Sequence, residues 1–181
     1  KILNKIQPLK HENFKDNNVI TIFPGSSKKG ILKRWDIDKY IAVANYCSKK
    51  YIVRFVLGPE ENELFEKISK STTQRIIVSN NWEEMIKLIS ESFIVIGNDG
   101  AYVHMAVWKN IFSIMLCGPL SPVVNGVWKY GKGKTLYNKE RCYCKYLWSG
   151  ICNNNHVCLE KIEAQDVIRI IKELEENIVD K

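Results

Sequence analysis

Three short stretches of this sequence carry residue types that grip anions and hydroxyls. The first, PGSSKKGILKRWD at 24–36, sets Ser26 and Ser27 beside Gly25 and Gly30 and follows them with Lys28, Lys29, Lys33 and Arg34. Glycines let backbone N–H groups approach a phosphate, hydroxyls donate to it, and ammonium groups neutralise it. The order is neither G-x-x-x-x-G-K-[ST] nor G-x-G-x-x-G, and the same composition also suits a solvated basic loop. The second stretch, GPEEN at 58–62, presents Glu60 and Glu61. Carboxylates there either accept from ribose hydroxyls or favour the N-terminus of the helix that follows. The third, FIVIGNDGAYVHMAVW at 93–108, runs from four apolar residues into Gly97, Asn98, Asp99 and Gly100, with His104 one turn further on. Gly97 and Gly100 are expected to relieve the backbone where strand turns into helix. Asp99 is expected to cap that helix or to accept from sugar hydroxyls, with the amides of Gly100 and Ala101 open to an anion. His104 suits either donation to an anion or packing between helix and sheet.

A fourth stretch, RCYCKYLWSGICNNNHVC at 141–158, holds Cys142, Cys144, Cys152 and Cys158. Their C-x-C and C-x5-C spacing differs from the C-x2-C pairs of common zinc sites, yet four thiols this close can bind a structural zinc, pair as two disulfides, or stay reduced. Cys47 and Cys117 fall in apolar segments and are expected in the core.

The elements that must position these loops alternate regularly. Apolar runs at 19–23, 51–58, 75–79, 93–97 and 111–118 read as strands, and helical patterns fill 36–50, 60–71, 82–92 and 101–110. Asp36 is placed to cap the first of these helices. Strands alternating with helices predict repeated βαβ units, hence an α/β, Rossmann-like parallel sheet with helices on both faces. Ligands of such sheets bind beyond the carboxyl ends of the strands, which singles out the loops at 24–35, 58–61, 79–81, 97–100 and 117–127. An amphipathic helix at 164–178 is expected to pack back across the domain.

The chain has 181 residues, 45% of them hydrophobic, enough for one sizeable core. No apolar run approaches the roughly 18 residues a membrane span needs, and no stretch resembles a signal peptide, so a soluble, cytoplasmic protein is expected. Residues 1–18 read as a connector from a preceding domain, and a chain that begins at Lys1 rather than methionine is expected to have lost its natural N-terminus through processing or to be an excised piece. The formal charge of +7 suits anionic partners, but no basic stripe with interleaved aromatics is present, which argues against nucleic acid.

Taken in order, IFPGSS, KRWD, VLGPEENE, IGNDGAYVHMA and IMLCGPLSP resemble the C-terminal half of glycosyltransferase family 9, the lipopolysaccharide heptosyltransferases. The similarity covers roughly residues 19–178, including the cysteine segment and the final helix. The resemblance implies one domain of a GT-B fold, 19–181 being the donor-binding domain. It implies an inverting transfer from ADP-heptose to a lipopolysaccharide core or related lipid-linked glycan, with no cofactor or metal required. It places Lys33 on the diphosphate, Glu61 on the ribose or adenine side, and Asp99, Gly100 and Ala101 on sugar and phosphate with His104 close by. Ser26 and Ser27 would offer hydroxyls to phosphate. The family's usual Asn-Asp-Ser/Thr-Gly is here Asn98-Asp99-Gly100-Ala101, so one hydroxyl is missing and the phosphate contact is weakened. The general base is expected in the preceding domain, so this chain alone should bind donor and transfer poorly. Peripheral association with the inner face of the inner membrane would suit its charge. The alternative is a non-catalytic Rossmann-like interaction module with a structural zinc at the four cysteines.

Overall fold

The structure is a computed structural model that describes residues 18–127, 131–140 and 151–179. Six parallel strands form one sheet: β1 (Val19–Phe23), β2 (Ile52–Leu57), β3 (Arg75–Val78), β4 (Ile94–Asn98), β5 (Phe112–Leu116) and β6 (Gly133–Leu136), in the spatial order β3-β2-β1-β4-β5-β6. This is the doubly wound arrangement, in which strand order reverses between β1 and β4. The chain crosses between strands through α1 (Ile37–Cys47), α2 (Asn62–Ser71), α3 (Trp82–Ser90), α4 (Ala101–Trp108) and the short α5 (Pro122–Asn125). It continues through α6 (Val157–Glu160) and α7 (Ala164–Val179).

Alternation of side chains along the buried strands gives each face its own core. Ile20 and Ile22 of β1, Ile94 and Ile96 of β4, and Ile114 and Leu116 of β5 face α1 and α7, where they pack with Tyr40, Ile41, Ala44, Val167 and Ile171. Phe23, Val56, Val95 and Met115 face α3 and α4, packing with Met85, Ile89, Val103 and Ala106. Gly97 is required by this second packing, because a Cβ there would lie 2.8 Å from both the Phe23 carbonyl oxygen and Val103 Cγ2. It admits α4 close to the sheet rather than easing a turn.

Five strands follow the apolar runs, and β6 is an addition. Its sequence, Gly-Lys-Thr-Leu, lacks an apolar pattern because it is an edge strand with only partial burial. Backbone pairing with β5 makes it: Gly133 has φ +145° and leaves 2.0 Å between a notional Cβ and the Ser113 carbonyl oxygen, so only glycine fits. Asp36 caps α1 as expected, its carboxylate accepting from Asp38 N–H at 2.8 Å. Cys47 and Cys117 are buried.

The C-terminal helix is tied to the front of α1. Trp35 Nε1 donates to the Ile162 carbonyl at 2.9 Å, and Lys39 Nζ reaches the carbonyls of Glu160 and Ile162 and the carboxylate of Glu163. Farther along, Tyr51 Oη donates to Glu175 at 2.6 Å. Of the expected connector, only Asn18 is among the described residues. Among those residues no helix is long and apolar enough to cross a membrane.

Candidate functional site

A cleft of about 680 Å³ opens where the carboxyl ends of β1, β2 and β4 meet. Ser26, Ser27, Lys33, Glu61, Asp99, Gly100 and Ala101 all line it, and so does Asn80, so four loops singled out by the strand pattern converge on one crevice. The loop at 117–127 contributes no lining residue. It follows β5, one strand beyond the point of reversal.

Asn98, the last residue of β4, organises the β1 side. Its Oδ1 accepts from Trp35 N–H at 2.9 Å and Tyr40 Oη at 3.0 Å, and its Nδ2 donates to the carbonyls of Pro24 at 2.8 Å and Gly25 at 3.2 Å. The amide is 3% exposed with both ends satisfied. Burial raises the pKa of Tyr40 well above its ordinary value, which keeps its hydroxyl a donor to Asn98.

Glu61 organises the β2 side. Oε1 accepts from Ser26 N–H at 2.8 Å and from Arg34 at 3.3 Å, while Oε2 accepts from Gly58 N–H at 2.8 Å. Arg34 adds bonds to the hydroxyl and carbonyl of Ser26, at 3.0 and 2.9 Å. Glu61 thus holds two strand-end loops together and caps no amide of α2 with its side chain. The cations that line the cleft all have carboxylate neighbours: Lys28 pairs with Glu60 at 3.3 Å, Arg34 with Glu61 at 3.3 Å, and Lys33 lies 3.8 Å from Asp99 Oδ2. Each cation of the cleft wall therefore stands beside a carboxylate, while Lys29, the fourth cation of the loop, does not line the cleft.

Asp99 does not cap α4. The N-cap is Gly100, without a side-chain hydrogen bond, and Asp99 Oδ1 instead lies 3.0 Å from His104 Nε2. The first amides of α4 are left without a side-chain acceptor at the cleft wall, an arrangement that favours an anion. Lys33 Nζ donates to the Asp99 carbonyl at 3.3 Å. Among the described residues, Asp99 Oδ2 is a buried side-chain oxygen that accepts no hydrogen bond. His104 does not line the cleft; it braces Asp99 from behind.

Of the four clustered cysteines, Cys142 and Cys144 lie outside the described residues. Cys152 Sγ accepts from His156 N–H at 3.3 Å, and Cys158 is buried in the core beside Leu159. Among the described residues no group of three or more His, Cys, Asp or Glu side chains is placed to hold a metal ion.

The family model "Glycosyltransferase family 9 (heptosyltransferase)" matches residues 3–146. The chain belongs to glycosyltransferase family 9. Solved structures agree on the fold of this family 9 chain. It is 20% identical to an E. coli ADP-heptose LPS heptosyltransferase II, with a TM-score of 0.69 over 90% of this chain and 48% of that one. A family 9 glycosyltransferase from Veillonella parvula gives 20% identity and a TM-score of 0.71 over 87% and 46% of the two chains. The E. coli heptosyltransferase WaaC with ADP gives 14% and 0.65 over 88% and 45%. The family 9 chain therefore spans a little under half the length of each of these proteins. No curated protein matches it in sequence.

Some residues of this family 9 cleft carry little signal in the sequence. Arg34 stands beside Lys33 and reads as one more basic residue. Asn98 gives a better clue, because a polar residue closing a wholly buried strand must find partners for both ends of its amide. Phe23, Tyr102 and Trp82 line the cleft as well, although their positions read only as strand end and helix starts.

Proposed function

We propose that this chain is the donor-binding domain of an inverting glycosyltransferase, taking ADP-heptose as its nucleotide sugar. The observation that carries the reading is the convergence of Lys33, Glu61, Asp99 and the N-terminus of α4 on one cleft at the strand-order reversal. The diphosphate sits against the amides of Gly100 and Ala101 with Lys33 beside it; the hydroxyl of Ser27 donates to it, and that of Ser26 does so on releasing the Ser27 carbonyl to which it donates at 3.1 Å. Glu61, already fixed by three donors, retains lone-pair capacity for a ribose hydroxyl. Asp99 accepts a hydroxyl of the sugar when a side-chain shift brings Oδ2, buried in this structure, to the cleft wall, and His104 holds the other oxygen. Pre-aimed amides and an ammonium stabilise the charge that grows on the leaving diphosphate, the largest contribution such a site makes. One half of the chemistry lies elsewhere: a preceding domain, joined through residues 1–18, supplies the general base and binds the lipid-linked glycan acceptor, a lipopolysaccharide core or its relative. The charge of +7 suits work beside an anionic membrane surface on the cytoplasmic side.

The names of two solved structures support the choice of nucleotide, since WaaC is described with ADP and a TibC heptosyltransferase with ADP-D-β-D-heptose. Titration calorimetry with ADP, ADP-heptose and UDP-sugars tests the proposal. Binding of ADP and ADP-heptose that weakens in Lys33→Glu supports it, and no binding of any nucleotide by the unaltered chain removes it.

A further inference from the structure

We propose that Trp82 is the stacking platform for the donor's nucleobase, an inference that rests on the donor-site reading above. The cleft has two chemically different walls. One is polar, made by Lys33, Asp99 and the amides that open α4. The other is apolar and aromatic, made by Phe23, Val56, Tyr102 and Trp82. Phe23 and Val56 are 4% and 2% exposed and form its floor, whereas Trp82 remains 53% exposed.

The exposed indole is not a stray surface residue. Trp82, Met85 and Ile89 share one stripe of α3, at i, i+3 and i+7. Met85 and Ile89 are fully buried against the sheet, so Trp82 continues the core-facing stripe into the cleft. Asn81 fixes where the helix begins, its Oδ1 accepting from Glu83 N–H at 2.8 Å and Glu84 N–H at 3.1 Å. Tyr102 stacks on Phe23 with ring centroids 4.9 Å apart at 28°, and Trp82 meets Tyr102 at 5.5 Å and 54°. The three rings form a ladder from the buried core to open solvent, and its last rung offers an uncovered aromatic surface. A planar heterocycle attached to a ribose near Glu61 is the part of a nucleotide that matches such a surface, because every base presents a π-face.

Titration with ADP of the unaltered chain, Trp82→Ala and Trp82→Phe tests the assignment, with indole emission followed in the first and last. The expected result is about tenfold weaker binding for Trp82→Ala, as loss of one stacked base predicts, near-normal affinity for Trp82→Phe, and ADP-induced quenching that disappears in Trp82→Phe. Unchanged affinity in Trp82→Ala, a Phe variant as weak as the Ala variant, or no quenching in the unaltered chain overturns it. Failure of the unaltered chain to bind ADP at all is a different result: it overturns the donor-site reading and this inference together.

Discussion

No side chain fits on Gly25 while Glu61 stays in place: a Cβ there would fall 1.9 Å from Glu61 Oε1. The same carboxylate joins Ser26 to Gly58, so the bare backbone of one loop makes room for the anion that ties it to the next. Gly25→Ala is expected to expel Glu61, and Glu61→Gln to set an amide donor against N–H donors. Both variants should lose about 1 kcal/mol or more of stability, since partly buried donors to a charged acceptor are left unpaired. They should also bind ADP weakly. Urea unfolding and titration of each variant measure the two effects; an undiminished midpoint in Gly25→Ala contradicts the packing argument.

Gly100 behaves in the opposite way. Its backbone is extended, with φ −158°, and the nearest atom to a notional Cβ is 3.7 Å away, so a side chain fits there. Gly100→Ser should fold normally, because serine and glycine differ at an N-cap by only a few tenths of a kcal/mol. Its hydroxyl would stand beside the amides that open α4, adding a donor to the cleft wall. An affinity for ADP several-fold higher than that of the unaltered chain, measured by calorimetry, is the expected outcome.

Asn98→Ala strips partners from the amide of Trp35, the hydroxyl of Tyr40 and the carbonyl of Pro24 at once. Each buried polar group left unpaired costs about 1–3 kcal/mol, so the variant should lose about 3 kcal/mol or more. Denaturant unfolding checks this. Because the lost bonds hold the β1 loop to β4, nucleotide affinity should fall even below the denaturation midpoint.

The sheet and its strand-end loops were legible because period and composition leave little choice: a run such as FIVIG must be buried on both faces. The convergence of Lys33, Glu61 and Asp99 followed from the topology that such runs dictate. Pairing within the cleft was not legible. Whether Glu61 faces solvent, helix or neighbouring loop depends on a gap at Gly25, 36 positions away in sequence, and no local pattern reports it. Asp99 similarly looks like a cap until His104, five residues on, is seen to take its oxygen. Strand β6 escaped because an edge strand held by backbone bonds requires no apolar alternation.

Burial, with Glu175 adding to it, pushes the Cys47 thiol up from 9.0 to about 12. A thiol held neutral in the fold and ionising earlier in the unfolded chain makes the folded state bind more protons between those values. Stability from this group is therefore complete below pH 9 and declines as pH rises toward 12. Cys47→Ala should flatten part of that alkaline decline, at some cost in packing at neutral pH. Melting temperatures from pH 8 to 11 for both proteins provide the check.

The grip of Trp35 and Lys39 on the crossing between Glu160 and Ile162 has a consequence for biosynthesis. The turn that carries Lys33 and Arg34 ends at Trp35, whose indole is anchored by a carbonyl 127 positions later. A nascent chain emerging from the ribosome cannot anchor this turn when the turn itself appears; the anchor waits for the segment from Glu160 to Ile162 to clear the exit tunnel.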